Sequence, residues 1–236
     1  GEPFCTGPVP RTAEILADAT LNDLASVGDG VWAVGDRGVL VRSTDAGATW
    51  QTLGLPVDAQ LTSVCFLTNR IGFVGGVVYD PAERQFVGMI LKTSDAGDSW
   101  TVSSGSRAST LITDLQGRTG SGLPPVRWMR FFDLQNGVAV CSPQHPFADA
   151  MVLRTDDGGA TWTAFGSKTK DAAWTSAAFL SAEDGVVGGR GSSYAAVVGD
   201  GIVELSPRGA NAQGVHAACV SAGKTGWMVG DGGFVL

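Results

Sequence analysis

Three aspartates, Asp45, Asp95 and Asp157, recur in one string, S/T-x-D-x-G-x-S/T-W: STDAGATW from Ser43 to Trp50, TSDAGDSW from Thr93 to Trp100 and TDDGGATW from Thr155 to Trp162. Repeated carboxylates are candidate metal ligands or general acids. These stand at equivalent points of successive repeats, however, and one site could hardly gather all of them. The residue types around them favour turn chemistry instead. An Asp carboxylate accepts hydrogen bonds from backbone N–H groups about two residues ahead, and Gly47, Gly97 and Gly159 supply a positive φ. The hydroxyls of Ser43, Thr93 and Thr155 add a weaker side-chain bond, and Trp50, Trp100 and Trp162 are large apolar anchors for a neighbouring layer.

The other chemistry-bearing residues form no recognisable catalytic motif. His145 and His216 lie near no G-x-S-x-G elbow, and Cys5, Cys65, Cys141 and Cys219 show no C-x-x-C or Cys/His ligand spacing. No catalytic residue, metal site or cofactor is assigned. Cys65 and Cys219 fall in apolar runs and read as buried side chains, whereas Cys5 is open to disulfide pairing.

Aligning the chain on the boxes exposes the elements that must carry them. A first apolar strand recurs as LNDLAS (21–26), LTSVCF (61–66), VRWMRF (126–131), WTSAAF (174–179) and VHAACV (215–220). A second follows a tight turn, as in VWAVG (31–35), GFVGG (72–76) and GWMVG (226–230); a third runs into the box, and a fourth begins at its Trp. Short segments rich in Val, Phe, Trp and Thr between Gly, Asp and Asn turns are strand and hairpin signals. Four antiparallel strands, A to D from the axis outward, in repeats of about 40 to 60 residues, predict an all-β chain, a β-propeller. The repeats begin near residues 21, 61, 126, 174 and 215 of one domain spanning 1–236. Repeat 4 keeps Ser206 in GIVELSPRGA but lacks the Asp and Trp, so it must close its C–D turn differently. Repeat 5 stops inside its third strand, and RTAEILAD (11–18) occupies the place of a D strand. Both a closed ring of five blades and a piece of a longer, seven-bladed ring accommodate this.

In a meander the connections alternate faces. Boxes at C–D turns share a face with A–B turns, leaving B–C and D–A connections opposite. The long insertions, 77–86, 103–125, 142–149 and 191–197, all sort to that opposite face, where binding loops on a rigid scaffold gather. The second residue of each A strand, Asn22, Thr62, Arg127, Thr175 and His216, is a polar column at the channel mouth on the same side. Arg127 is its firm charge, with Arg84, Arg107, Arg118 and Arg190 on nearby loops, a set suited to bidentate grip of a carboxylate. The candidate binding residues are Arg127, His216, Tyr79, Arg84, His145 and Tyr194.

A net charge of −7 and a pI near 4.7 give no electrostatic footprint for nucleic acid. No apolar stretch reaches the ~18 to 20 residues that span a bilayer, so the chain is not expected to cross a membrane.

The boxes resemble the Asp box, or bacterial neuraminidase repeat, a structural turn remote from the active site in its known families. The strands beside them, DGVWAVGDRGVLVRSTDAGATW (29–50), NRIGFVGG (69–76) and GWMVGDGG (226–233), resemble the repeat of the photosystem II stability and assembly factor family. That resemblance implies a non-enzymatic, seven-bladed propeller outside the cytoplasm (periplasmic, lumenal or secreted) that binds protein or peptide segments during assembly of a membrane complex. The missing fourth box and the smaller number of blades depart from it. A glycoside hydrolase is the rival, because sialidases and xyloglucan-cleaving enzymes also carry Asp boxes. Glycosidases need paired carboxylates, for which Asp80, Glu83, Asp114 and Asp149 are available, and sialidases a Tyr nucleophile, for which Tyr79 and Tyr194 are.

Overall fold

The structure, a computed structural model, describes residues 18–81, 84–105, 110–142, 150–166, 174–190, 193–205, 214–221 and 225–236. They form an all-β propeller. Blade 1 is β1 (Leu21–Val27), β2 (Gly30–Gly35), β3 (Leu40–Ser43) and β4 (Gln51–Thr52); blade 2 is β5 (Gln60–Phe66), β6 (Gly72–Asp80), β7 (Gln85–Thr93) and β8 (Thr101–Ser104). A hairpin, β9 (Leu111–Thr113) and β10 (Thr119–Ser121), then precedes blade 3, which is β11 (Val126–Phe131), β12 (Gly137–Cys141), β13 (Met151–Thr155) and β14 (Thr161–Phe165). Blade 4 is β15 (Trp174–Ser181), β16 (Asp184–Gly189), β17 (Tyr194–Val198) and β18 (Gly201–Glu204), and a two-stranded sheet follows, β19 (Val215–Val220) and β20 (Gly226–Gly230). Within each blade the strands pair antiparallel in chain order. The predicted repeat starts coincide with the inner strands β1, β5, β11, β15 and β19 to within a residue.

The sequence pattern explains how blades stack. Phe66, Phe131 and Phe179 lie at or near the ends of successive inner strands, opposite Gly72, Gly137 and Gly185. A Cβ on any of those glycines would meet the facing ring at 2.5, 2.9 and 2.5 Å. The ring thus lies flat on its own blade and presents its other side to the preceding one, where Trp32 stacks on Phe66 (3.6 Å), Phe73 on Phe131 (3.8 Å) and Trp128 on Phe179 (5.5 Å). Clusters of buried Val, Leu, Ile and Trp side chains fill the remaining space between blades. At the two ends of the series, Leu21 and Leu24 of β1 and Trp227 and Val229 of β20 are exposed.

Four sequence readings need correction. The stretch 103–125 is not a loop gathered on the binding face: β9 pairs parallel to the outer strand β14, so blade 3 becomes a six-stranded sheet. In repeat 4 the third strand is β17, and Gly199 and Asp200 make the turn into β18 with Gly199 at φ 59°. The alignment on Ser206 is therefore displaced, and most of 191–197 is strand. Cys219 is exposed and Cys65 half-buried. Trp50 is 47% exposed, against 8% for Trp100 and 1% for Trp162, because no blade among the described residues covers it as blades 1 and 2 cover the other two. Residues 11–17 of the predicted closing strand, and Cys5, lie outside the described residues.

Candidate functional site

The boxes are turns, built by a different division of labour from that expected. In blade 1, the Ser43 hydroxyl donates to Asp45 Oδ1 (2.7 Å) and accepts from the N–H of Gly47 (2.8 Å). The Asp45 carboxylate reaches four residues ahead, accepting from the Thr49 N–H (2.8 Å) and hydroxyl (2.6 Å). Trp50 Nε1 donates back to the Gly47 carbonyl (3.0 Å). Thr93, Asp95, Gly97, Ser99 and Trp100 repeat the pattern, as do Thr155, Asp157, Gly159, Thr161 and Trp162. The residue after each Asp is also left-handed, with Ala46 at φ 56°, Ala96 at 65° and Gly158 at 75°. Its N–H is thereby aimed at the A–B turn of the same blade, where Asp29, Arg70 and Gln135 carbonyls accept. Boxes and A–B turns therefore share a face, as parity required.

These bonds fix the carboxylates as anions. The Thr49 hydroxyl and N–H hold Asp45 at about 2, and those of Ser99 do the same for Asp95. Burial pushes Asp157 upward, but bonds from Thr161 and Thr155 outweigh it and leave the group lowered. A carboxylate with its lone pairs committed to its own loop is a poor ligand or acid.

The polar column is a column of β-bulges. The register skips one residue at the start of every inner strand: Asn22, Thr62, Arg127, Thr175 and His216. A bulge turns its side chain out of the ladder, here toward the next blade. Asn22 donates to the Leu61 carbonyl (2.7 Å), Thr62 to that of Val126 (2.8 Å) and Thr175 to that of Val215 (3.0 Å). Three of the five are thus inter-blade staples. Blade 3 is different: the carbonyl Arg127 would serve, that of Trp174, accepts from Ser142 Oγ at 2.9 Å. Arg127 is half-buried and has no hydrogen bond or ion pair with any described residue. It lies beside Cys141, whose thiol burial raises and the guanidinium lowers, with a net rise.

The remaining candidates scatter. His216 is paired with Asp231, which also accepts from the Gly214 N–H (2.9 Å), and these contacts lower the carboxyl. Arg190, at the blade 4 position corresponding to Asp36 and Asp231, is exposed. Arg84 is exposed in the β6–β7 turn at φ 53°, and Tyr79 stands on that hairpin. Tyr194 is not a loop residue. It is buried in β17 and packs near Phe234, at 6.2 Å between rings. Arg118 is tied to Asp114 at 2.7 Å in the β9–β10 turn. Asp80 is buried. His145, Arg107, Glu83 and Asp149 lie outside the described residues.

Sequence reading missed the cations just before the boxes. Arg42 reaches the Ala96 carbonyl (3.2 Å) and Asp98 (3.0 Å) in the next blade's box, and Arg154 the corresponding turn of blade 4. The signal was present, as R-S, K-T and R-T ahead of each Asp, but an exposed-looking cation on a strand names no partner. Tyr79 and Phe86 also form a pair that spacing did not reveal.

No family model matches the chain. A curated xyloglucanase from Paenibacillus sp is 31% identical over 144 residues, which are 55% of this chain and 13% of that enzyme. Among solved structures, YCF48 bound to D1 peptide has a TM-score of 0.63 at 19% identity, covering 92% of this chain and 64% of that one. YCF48 from Cyanidioschyzon merolae gives 0.61 at 17%, over 92% and 68%. The GH74 xyloglucanase from Xanthomonas campestris gives 0.56 at 14%, over 89% and 35%. At these identities the likeness is one of fold, that of a β-propeller, which hosts both binding and catalysis.

Proposed function

We propose that this chain is a non-enzymatic propeller that binds a protein or peptide segment on the face away from the boxes. Photosystem II stability and assembly factors, which its strand-and-box repeats resemble, are the model for this role. The observation that carries the reading is Arg127: a guanidinium on a bulge whose usual inter-blade acceptor is already taken by Ser142. A planar fork at the mouth, with no hydrogen-bond or ion-pair partner among the described residues, suits a carboxylate. We read the boxes as Asp boxes in a structural role, the partner as a segment of a membrane complex, and the location as extracytoplasmic.

The similarity to a xyloglucanase keeps a second reading, glycoside hydrolysis, in view. Of the carboxylates suggested for it, Asp80 is buried in its hairpin and Asp114 is committed to Arg118 and its own turn. Titration with acidic peptides at fixed salt, beside assays on xyloglucan and fluorogenic sialosides, separates the two. Saturable peptide binding without turnover supports the binding role, and turnover of either glycan overturns it.

A further inference from the structure

The inner strands that line the central channel differ in charge. Strands β1, β5, β15 and β19 contain no Lys or Arg, whereas β11 contains two, Arg127 and Arg130, with Trp128 between them. At the register position of Arg130 the other inner strands carry small residues, Ala25, Cys65, Ala178 and Cys219. In a chain with a net charge of −7, the described inner strands thus gather their fixed positive charge on one wall. Arg127 turns toward blade 4 at its bulge, and its neighbours turn the same way. The Trp128 ring stacks on Phe179 at 5.5 Å and 28°, and Arg130 Nη1 donates to the Phe179 carbonyl at 3.2 Å. The Arg130 guanidinium also lies over the Phe132 ring at 5.8 Å.

Arg130 is exposed, and among the described residues it has that one carbonyl acceptor and no carboxylate partner. Arg42 and Arg154, by contrast, each meet both a carboxylate and a carbonyl of the next blade. Arg130 borders a cavity of about 460 Å³ lined by consecutive residues of β1, β5 and β11, which puts the cavity in the channel; Asp23, Ser26, Cys65, Trp128 and Phe132 are among its other walls. Its size is that of a small-ligand site. The carboxylate in this wall, Asp23, is committed to blade 2, accepting from the Ser63 hydroxyl (3.0 Å) and the Val64 N–H (2.8 Å). Burial pushes the Cys65 thiol up to about 12, while Arg130 lowers it and Asp23 raises it by lesser amounts, so both charges act on this space.

We propose that Arg130, beside the Trp128 ring, is a second carboxylate grip inside the channel, so that the segment held by Arg127 is an extended acidic one that runs along β11 and carries a second carboxylate. This rests on the peptide-binding reading above. The strand sets the spacing. At about 3.3 Å per residue, Arg127 and Arg130 stand at most about 10 Å apart along β11, which an extended ligand matches with carboxylates three residues apart. Two guanidiniums on one wall, with Asp23 already committed, attract an anionic chain and repel a cationic one. Arg130 Nε and Nη2 have no partner among the described residues, and together they form an edge that a carboxylate can meet with both oxygens.

The test uses the full chain and dye-labelled, end-blocked decapeptides of Gly and Ser that carry one Asp, two Asp three residues apart, or two adjacent Asp. Fluorescence anisotropy at fixed salt should show the three-residue spacing bound roughly 10-fold tighter than the adjacent pair of equal charge, the low end for a hydrogen bond to a charged group. In Arg130→Gln, whose amide can still donate to the Phe179 carbonyl, that advantage should fall below twofold while the one-Asp peptide changes by less than twofold. Arg127→Ala should weaken all three peptides. Equal wild-type affinity for the two spacings, an advantage that survives Arg130→Gln, or a one-Asp peptide weakened by Arg130→Gln as much as the spaced pair overturns the second grip while leaving peptide binding intact. Binding of no peptide overturns both.

Discussion

Arg154 grips Asp200 across the boundary between blades 3 and 4, with Nη1 donating at 2.6 Å. The same guanidinium donates to the carbonyls of Ala182 (3.1 Å) and Gly199 (2.9 Å), so it clamps both turns at one end of the next blade, and it lies over the Phe165 ring at 4.3 Å. Asp200 is 87% exposed. Solvent screens such an ion pair, and the carbonyls carry most of the clamp. Arg154→Ala should cost about 1.5 to 3 kcal/mol, the range for charge-assisted bonds, and Asp200→Asn less than about 1. Urea titrations of both variants check the ordering; equal losses would mean that the ion pair dominates.

The box tryptophans should separate in the same assay. Trp100 packs against blade 1, and a Cβ on its neighbour Gly97 would meet Leu53 at 2.8 Å. Trp100→Ala should cost about 3 to 5 kcal/mol as a large core truncation. Trp50, chemically identical in its box but half exposed, should cost less than about 1.5 kcal/mol. A loss for Trp50→Ala as large as that for Trp100→Ala would show that Trp50 is covered in solution.

Strand order and the turn role of the boxes were legible because periodicity is local: Phe66, Phe131 and Phe179 align with one another, and so do the box aspartates. The polar column was legible too, but its meaning was not. A bulge depends on which residue the partner strand skips, and Asn22 or Thr62 gives no sign of that in isolation. Tyr194 was misplaced because no Asp–Trp pair anchors repeat 4, and Gly199–Asp200 reads as the start of a strand equally well. The release of Arg127 depends on Ser142 reaching Trp174, a contact between residues far apart in sequence.

The box carboxylates set an acid limit. Asp45 and Asp95 sit at about 2 when folded, against about 3.9 in an unfolded chain. A depressed carboxyl contributes stability that is complete above the unfolded value and lost as pH falls through the folded one. Stability should therefore decline from about pH 4 to about pH 2. Asp114, Asp133 and Asp231 are also lowered and act in the same sense, whereas Asp23, raised by burial, acts against them. The triple variant Asp45→Asn/Asp95→Asn/Asp157→Asn should be less stable at pH 7 and should lose less on acidification. Denaturation curves followed by circular dichroism at pH 7, 4, 3 and 2 test this, and parallel pH profiles for variant and wild type would refute it.

The glycine that faces the start of the inner strand makes the sharpest test of how the bulge column is held. A Cβ on Gly76 would lie 2.1 Å from the Gln60 carbonyl oxygen, and on Gly35 and Gly230 the corresponding contacts are 2.2 Å to Thr20 and 2.0 Å to Gly214. These glycines are needed because the chain entering the inner strand passes directly over them, which a side chain forbids. Blade 3 has Cys141 there, so the requirement belongs to the local path and not to the fold as such. Gly76→Ala must push back Gln60 and Leu61, which carries Thr62 away from the Val126 carbonyl. Overpacking of this kind costs about 1 to 3 kcal/mol, and loss of the staple adds about 1. Gly120→Ala, where nothing lies within 4 Å, is the control and should stay within about 0.5 kcal/mol. If both variants unfold at the wild-type urea midpoint, the close approach at Gly76 is not what fixes the inner strand.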